Sequence, residues 1–94
     1  MIKFVKFPYD FLVDSQLSSN DKVVLMYIID KCEFAKNMNF EWNFSIYRIA
    51  KALNLSHITI NKCINRLCEL HYISKFYTYE KKRGARRCYI MLLF

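Results

Sequence analysis

Glycine and proline are almost absent from this chain of 94 residues, which contains only Gly84 and Pro8. A flexible linker is therefore excluded, and the length predicts one domain spanning residues 1–94. The longest strongly apolar run, Val23–Ile29, is too short to cross a bilayer. The amino terminus shows no signal-peptide pattern, so we expect a cytoplasmic protein without a membrane partner.

The chain also lacks any C-x-x-C pair, although it contains four cysteines. Without a secretory signal we expect free thiols. Cys68 and His71 have the spacing of two metal ligands on one helix, but Cys63 and His57 fall on other faces of it. No phosphate-binding glycine loop, pair of catalytic acids or nucleophile–base pair is recognisable. The sequence therefore predicts no metal site, no cofactor and no enzymatic activity.

Acidic residues are scarce in the second half of the chain. Residues 1–44 carry five lysines against six acids, whereas residues 45–94 carry ten cations against two glutamates. Five of these cations lie in the seven-residue run Lys81–Arg87, which also contains the lone glycine. A solvated basic face explains scattered lysines better than it explains such a cluster. We therefore expect a polyanionic partner.

In the first half of the chain, a helix is predicted to start at Ser18–Asp21, where Ser18 and Asp21 match a capping box, and to run through Lys22 to about Phe34. Residues 35–39 are predicted to form a loop. Aromatic residues then alternate with polar ones over Phe40–Ile46, which predicts a short strand that pairs with a later hairpin. Ahead of the helix, five apolar residues are expected to pack on the core: Phe7, Tyr9, Phe11, Leu12 and Leu17.

Two further helices are predicted, one over Ile46–Leu53 after a Ser45 cap and one from a Ser56 cap to about His71, joined by a turn at Asn54. Spacings of three and four give the last helix an inward face: Ile60, Cys63, Ile64, Leu67 and Leu70. Its outward face comprises His57, Ile58, Asn61, Lys62 and Asn65. Polar groups with hardly any acid suit a helix that lies in a DNA groove.

Two predicted strands, Ser74–Glu80 and Cys88–Phe94, flank the cationic run. Two short helices followed by a hairpin with a cationic tip give the outline of a winged helix. The predicted fold class is therefore α+β, a winged helix-turn-helix of three helices with a small antiparallel sheet and a basic β-hairpin wing.

Residues 49–73 resemble the bacterial winged-helix pattern, in which Ala-x-x-Leu is followed by a turn residue, Leu-Ser, two variable residues and Thr-Ile or Thr-Val. The chain departs from this pattern at Asn54 and His71, where glycines are common. Asparagine tolerates the left-handed backbone that the first position requires. At the second position, His71 implies a less tight exit from the helix.

A looser resemblance covers most of the chain. Phe7–Leu12, Leu17–Ser19, Lys22, Tyr27 and Gly84–Ile90 resemble the amino-terminal domain of RepA-type plasmid replication initiators and phage replisome organisers, although those proteins carry further domains. The resemblance implies sequence-specific binding of double-stranded DNA at an origin-type or operator site. Related small winged-helix proteins serve transfer, partition or transcription control, so the process, the protein partners and the choice between monomer and homodimer stay open.

Each candidate DNA contact on the helices has an alternative role in the fold or in solvent. Asn61 and Asn65 are suited to adenine edges, and Lys62 to a phosphate. His57 is suited to a base edge or a phosphate, and Thr59 either contacts phosphate or stabilises its helix. Arg48 is suited to contact the DNA backbone where its helix crosses the duplex. The full candidate set is Arg48, Ser56, His57, Thr59, Asn61, Lys62, Asn65, Lys81, Lys82, Arg83, Gly84, Arg86 and Arg87.

Within the cationic run, arginine is suited to narrow, electronegative minor grooves, and Gly84 can approach a groove closely. Because the outward helix face carries few cations, we expect the wing to supply more affinity than that helix. A protein-interaction module is the main alternative, with an aromatic amino-terminal face comprising Phe4, Phe7, Tyr9 and Phe11; their burial in the monomer would weaken it. Stacking of Tyr77 and Tyr79 on single-stranded bases or RNA is a lesser alternative.

Overall fold

The computed structural model describes residues 2–80 and 85–94. Within these ranges the chain is an α+β fold of four helices and a two-stranded antiparallel sheet, an architecture compatible with a winged helix. The elements are α1 (Tyr9–Leu12), α2 (Ser19–Asn37), α3 (Ile46–Leu53), α4 (His57–Glu69), β1 (Ile73–Glu80) and β2 (Ala85–Leu92). Helix α1 is a single turn that adds to the three predicted helices. No helix of the described residues is long and apolar enough to cross a membrane.

Helix α2 begins with the predicted capping box. The Asp21 backbone N–H donates to Ser18 Oγ at 3.1 Å, and the Ser18 N–H donates to Asp21 Oδ2 at 2.9 Å. The helix continues to Asn37, so the loop predicted for residues 35–39 is wrong in its first part. Ala35, in this additional stretch of helix, is buried.

The three long helices end in the same way. After each of them one residue adopts a left-handed backbone, with φ of 58° at Asn39, 54° at Asn54 and 63° at His71. The next backbone N–H donates to the carbonyl five residues earlier, which is the bond of a Schellman motif. These bonds join Phe40 to Ala35 at 2.9 Å, Leu55 to Ala50 at 3.0 Å and Tyr72 to Leu67 at 3.0 Å. The left-handed turn at Asn54 is confirmed, and the looser exit expected at His71 is wrong.

The sheet is a hairpin whose register runs from Ile73 opposite Leu92 to Glu80 opposite Ala85. Strand β2 begins three residues before the predicted Cys88 and ends at Leu92. The strand predicted within residues 40–46 is wrong in its extent, because this segment makes a single bridge, Asn43 to Tyr89, which nevertheless pairs it with the hairpin as predicted. The ladder stops there since Asn43 Oδ1 accepts the Cys88 N–H and Ser45 turns away to cap α3.

The core lies between α2, α3, α4 and the base of the hairpin. Its fully buried members include Leu25, Ile28, Ile49, Ile60, Ile64, Leu67 and Ile73. Of the five amino-terminal residues expected to pack there, Leu17 is buried, and Phe7 and Phe11 are half-buried. Tyr9 and Leu12 are exposed, which corrects the prediction. A helix of a single turn can direct only one face toward the interior. In α1 that face contains Phe11, whose ring packs on those of Tyr72 and Phe94.

Candidate nucleic-acid interface

Helix α4 divides as predicted into a buried face and an exposed face. Ile60, Cys63, Ile64 and Leu67 are at most 4% exposed, and Leu70 is half-buried. The opposite face, here called the outer face, consists of the exposed residues His57, Ile58, Asn61, Lys62 and Asn65. The first twelve residues of α4 contain no acid. The outer face therefore offers hydrogen-bonding groups and positive charge without a carboxylate that would repel phosphate.

Two hydroxyl groups start α4. Ser56 is the N-cap, and its Oγ accepts the Thr59 backbone N–H at 3.1 Å. The same Oγ lies 2.9 Å from Thr59 Oγ1. Both candidates are thus engaged in helix capping, which favours the helix-stabilising alternative for Thr59.

The outer face is connected to the hairpin. Lys75 Nζ on β1 donates to Asn65 Oδ1 at 3.0 Å. Lys75 was not among the predicted site residues. The alternation of side chains along a strand places it on the same sheet face as Tyr77, which was considered as a nucleic-acid contact, and this was the available signal. The bond engages one of the two lone pairs on Asn65 Oδ1, so any adenine contact through that oxygen depends on the other.

A second unpredicted residue lies at the amino-terminal end of the outer face. Tyr47 on α3 is 73% exposed, and its ring lies 5.4 Å from that of His57 at an interplanar angle of 38°. A surface groove of about 350 Å³ runs beside this pair and is lined by Ile46, Tyr47, His57, Ile58, Asn61 and Lys62. Arg48, the next residue of α3, is exposed. Helical spacing could have predicted that Tyr47 is exposed, because it does not lie on the apolar face that contains Ile49.

Only the base of the predicted wing falls within the described residues. The register pairs Thr78 with Arg87 and Tyr79 with Arg86. Arg87 is half-buried and makes an interaction within the chain. Lys81, Lys82, Arg83 and Gly84 lie outside the described residues, as does the side chain of Arg86. Their predicted roles stay predictions.

An ion pair beneath the outer face joins α4 to α2. Arg66 Nε lies 3.3 Å from Asp21 Oδ2, and the Asp21 side chain is only 2% exposed whereas that of Arg66 is 56% exposed. Burial, together with a hydrogen bond to Asp21, raises the pKa of the Cys63 thiol to about 12. The same carboxylate therefore caps α2, pairs with Arg66 and adds to the effect of burial on the pKa of the Cys63 thiol.

The four cysteines, all within the described residues, are free thiols. Burial raises the pKa of the Cys32 thiol to about 11, which disfavours its thiolate form. Across residues 2–80 and 85–94, no three His, Cys, Asp or Glu side chains are grouped closely enough to hold a metal ion.

Another groove, of about 560 Å³, lies away from α4, between the end of α2 and strand β2. Its lining is mainly apolar, and its charged members are the acids Glu33 and Glu41 and one cation, Lys36. The two carboxylates outnumber the ammonium group and would repel phosphate, which makes this groove a poorer nucleic-acid site than the outer face.

The fold has a counterpart among solved structures. A structure described as the N-terminal domain of a DNA binding protein superposes with a TM-score of 0.68 and 13% sequence identity, covering 98% of this chain and 76% of that one. This likeness shows a shared fold. No protein-family model and no curated protein sequence matches the chain.

Proposed function

We propose that this protein is a single winged-helix domain that binds double-stranded DNA sequence-specifically and is not an enzyme. Helix α4 enters the major groove, and residues 81–87 contact the adjacent minor groove or backbone. The observation that carries the proposal is the exposed, acid-free outer face of α4, braced on one side by Lys75 and on the other by its cap.

Charge and likeness give further support. All of the excess positive charge lies in residues 45–94, which contain α3, α4 and the hairpin. The structural neighbour with the same fold is described as part of a DNA binding protein. The biological setting that we propose is a plasmid or phage, with the protein acting in the cytoplasm at an origin-type or operator site. Replication, transfer, partition and transcription control all fit a monomer or homodimer of this kind, with further proteins of a replication or transfer complex as additional partners.

Selection from a random duplex library at near-physiological salt tests the proposal. We expect one enriched motif, whose repeat spacing reports a monomer, a dimer or an array. With about five phosphates neutralised, log affinity should fall against log salt concentration with a slope of roughly −4 to −5. Retention without enrichment would point to an architectural binder, and a flat salt dependence would contradict the proposal. Competition with single-stranded DNA and with RNA distinguishes duplex binding from the lesser alternative, in which the protein binds single strands or RNA.

A protein-interaction module is the second candidate, and specific exposed side chains favour it. Phe4 is 87% exposed and Tyr9 is 72% exposed, whereas Phe7 and Phe11 are half-buried and so weaken this alternative in part. A Phe4→Ser/Tyr9→Ser variant should abolish any self-association seen in sedimentation if this face forms a dimer. Absence of duplex retention in the selection would move this candidate to first place.

A further inference from the structure

The outer face of α4 contains one apolar side chain among its polar ones. Ile58 is 60% exposed and is the second residue of the helix. A single exposed isoleucine needs no functional explanation by itself. Ile58, however, lines the groove of about 350 Å³ together with Asn61 and Lys62, which lie three and four residues further along the same helix face.

Base edges in the major groove offer one apolar group, the 5-methyl group of thymine. The exposed side chain of Ile58 provides the matching apolar surface, and Asn61 on the next turn provides the amide suited to an adenine edge. The adjacent wall of the groove is formed by Tyr47, whose ring packs against His57. At the other end of the outer face, Asn65 Oδ1 has one lone pair engaged by Lys75. The groove-lining side chains of Ile58, Asn61 and Lys62 all lie in the amino-terminal half of α4, which makes that half the better candidate for sequence readout.

Resting on the proposed function, we propose that Ile58 is a specificity residue that contacts the 5-methyl group of a thymine in the major groove. Asn61 then reads a neighbouring adenine, and Lys62 holds a phosphate beside it. The preferred site would contain an adenine–thymine step under the start of α4. The amino-acid composition and the net charge of the protein do not reveal this preference, because the proposed contact depends on a single methyl group of the DNA.

The test replaces each thymine of the selected duplex in turn by deoxyuridine, which removes only the 5-methyl group, and measures affinity for the wild-type protein and for Ile58→Ala. We expect one thymine in each copy of the selected motif at which the wild type loses about three- to ten-fold in affinity. Ile58→Ala should bind the thymine and deoxyuridine duplexes equally. Val23→Ala, which shortens an exposed apolar side chain on α2, is the matched control and should keep the wild-type difference.

The outcomes separate the two proposals. Tight duplex binding with no methyl-sensitive thymine, or with a methyl effect that persists in Ile58→Ala, overturns the role of Ile58 and leaves DNA binding intact. Loss of all duplex binding by the wild type overturns both. Because the deoxyuridine scan uses the unaltered protein, its result does not depend on the folding of a variant. Ile58→Val, which retains a branched apolar group, should keep most of the methyl effect.

Discussion

The two faces of α4 differ in almost every physical respect although they share one backbone. The inner face has Ile60 and Ile64 fully buried, whereas the outer face presents exposed amides, an ammonium group and one apolar side chain. Burial of the inner face contributes stability in proportion to the apolar area removed from water. The outer face contributes little to that free energy, so its residues can be replaced at little cost in stability. Under the proposed function, one helix thus separates folding from recognition.

The largest expected effect on stability comes from a substitution on the inner, buried face of α4. Ile64→Ala should lower the free energy of unfolding by about 2–5 kcal/mol, because it leaves a cavity between α4 and its neighbours. Ile58→Ala on the outer face should change it by less than about 0.5 kcal/mol. Urea denaturation followed by circular dichroism measures both. Equal losses would mean that the outer face is also structural. If Ile64→Ala does not fold, Ile64→Val should still cost about 0.5–1.5 kcal/mol.

The next effect compares the outer face with the wing. Replacing Arg83, Arg86 and Arg87 by alanine removes three cations, each worth about 1 kcal/mol near a phosphate, so affinity for duplex should fall on the order of 100-fold. The salt slope should flatten by about three. Asn61→Ala/Lys62→Ala should lower affinity less and flatten the slope by about one. A greater loss for the helix pair, in fluorescence anisotropy titrations, would show that α4 dominates affinity.

A smaller effect tests the carboxylate that joins α4 to α2. Asp21→Ala removes the carboxylate that accepts the Ser18 N–H in the capping box and leaves Arg66 without its partner. We expect a loss of about 2 kcal/mol in unfolding free energy. Asp21→Asn retains an acceptor for the Ser18 N–H and should lose less. The exposed Asp10→Ala is a matched control that should leave thermal stability unchanged.

The smallest effect is a pH dependence remote from both faces. The Tyr72 hydroxyl donates to Asp14, which lowers the pKa of that carboxyl and raises the pKa of Tyr72 to about 12. A lowered folded-state pKa means that stability is present above the ordinary value near 3.8 and is lost as pH falls through the folded value. Below about pH 4 the wild type should therefore lose more stability than Asp14→Asn. Parallel curves for the two proteins in acid denaturation would exclude this contribution.

Features written in short stretches of sequence were predictable. The Ser18–Asp21 capping box, the left-handed turn at Asn54 and the inner face of α4 each depend on residues within a few positions of one another. Contacts between elements were not predictable. The Lys75–Asn65 bond and the Tyr47–His57 ring pair depend on how β1 and α3 pack against α4, which no local pattern specifies. The fold class could therefore be predicted, whereas the neighbours of the candidate site could not.

The repeated helix ending has a consequence for how this protein tolerates mutation. Asn39, Asn54 and His71 are all exposed, and exposed positions normally accept most substitutions. At these three the backbone is left-handed, so glycine should be accepted, aspartate and asparagine tolerated, and β-branched residues rejected. In a library that varies every position, Asn39, Asn54 and His71 should therefore tolerate as few substitutions as buried core residues do. The restriction at these exposed positions is set by backbone geometry and not by side-chain contacts.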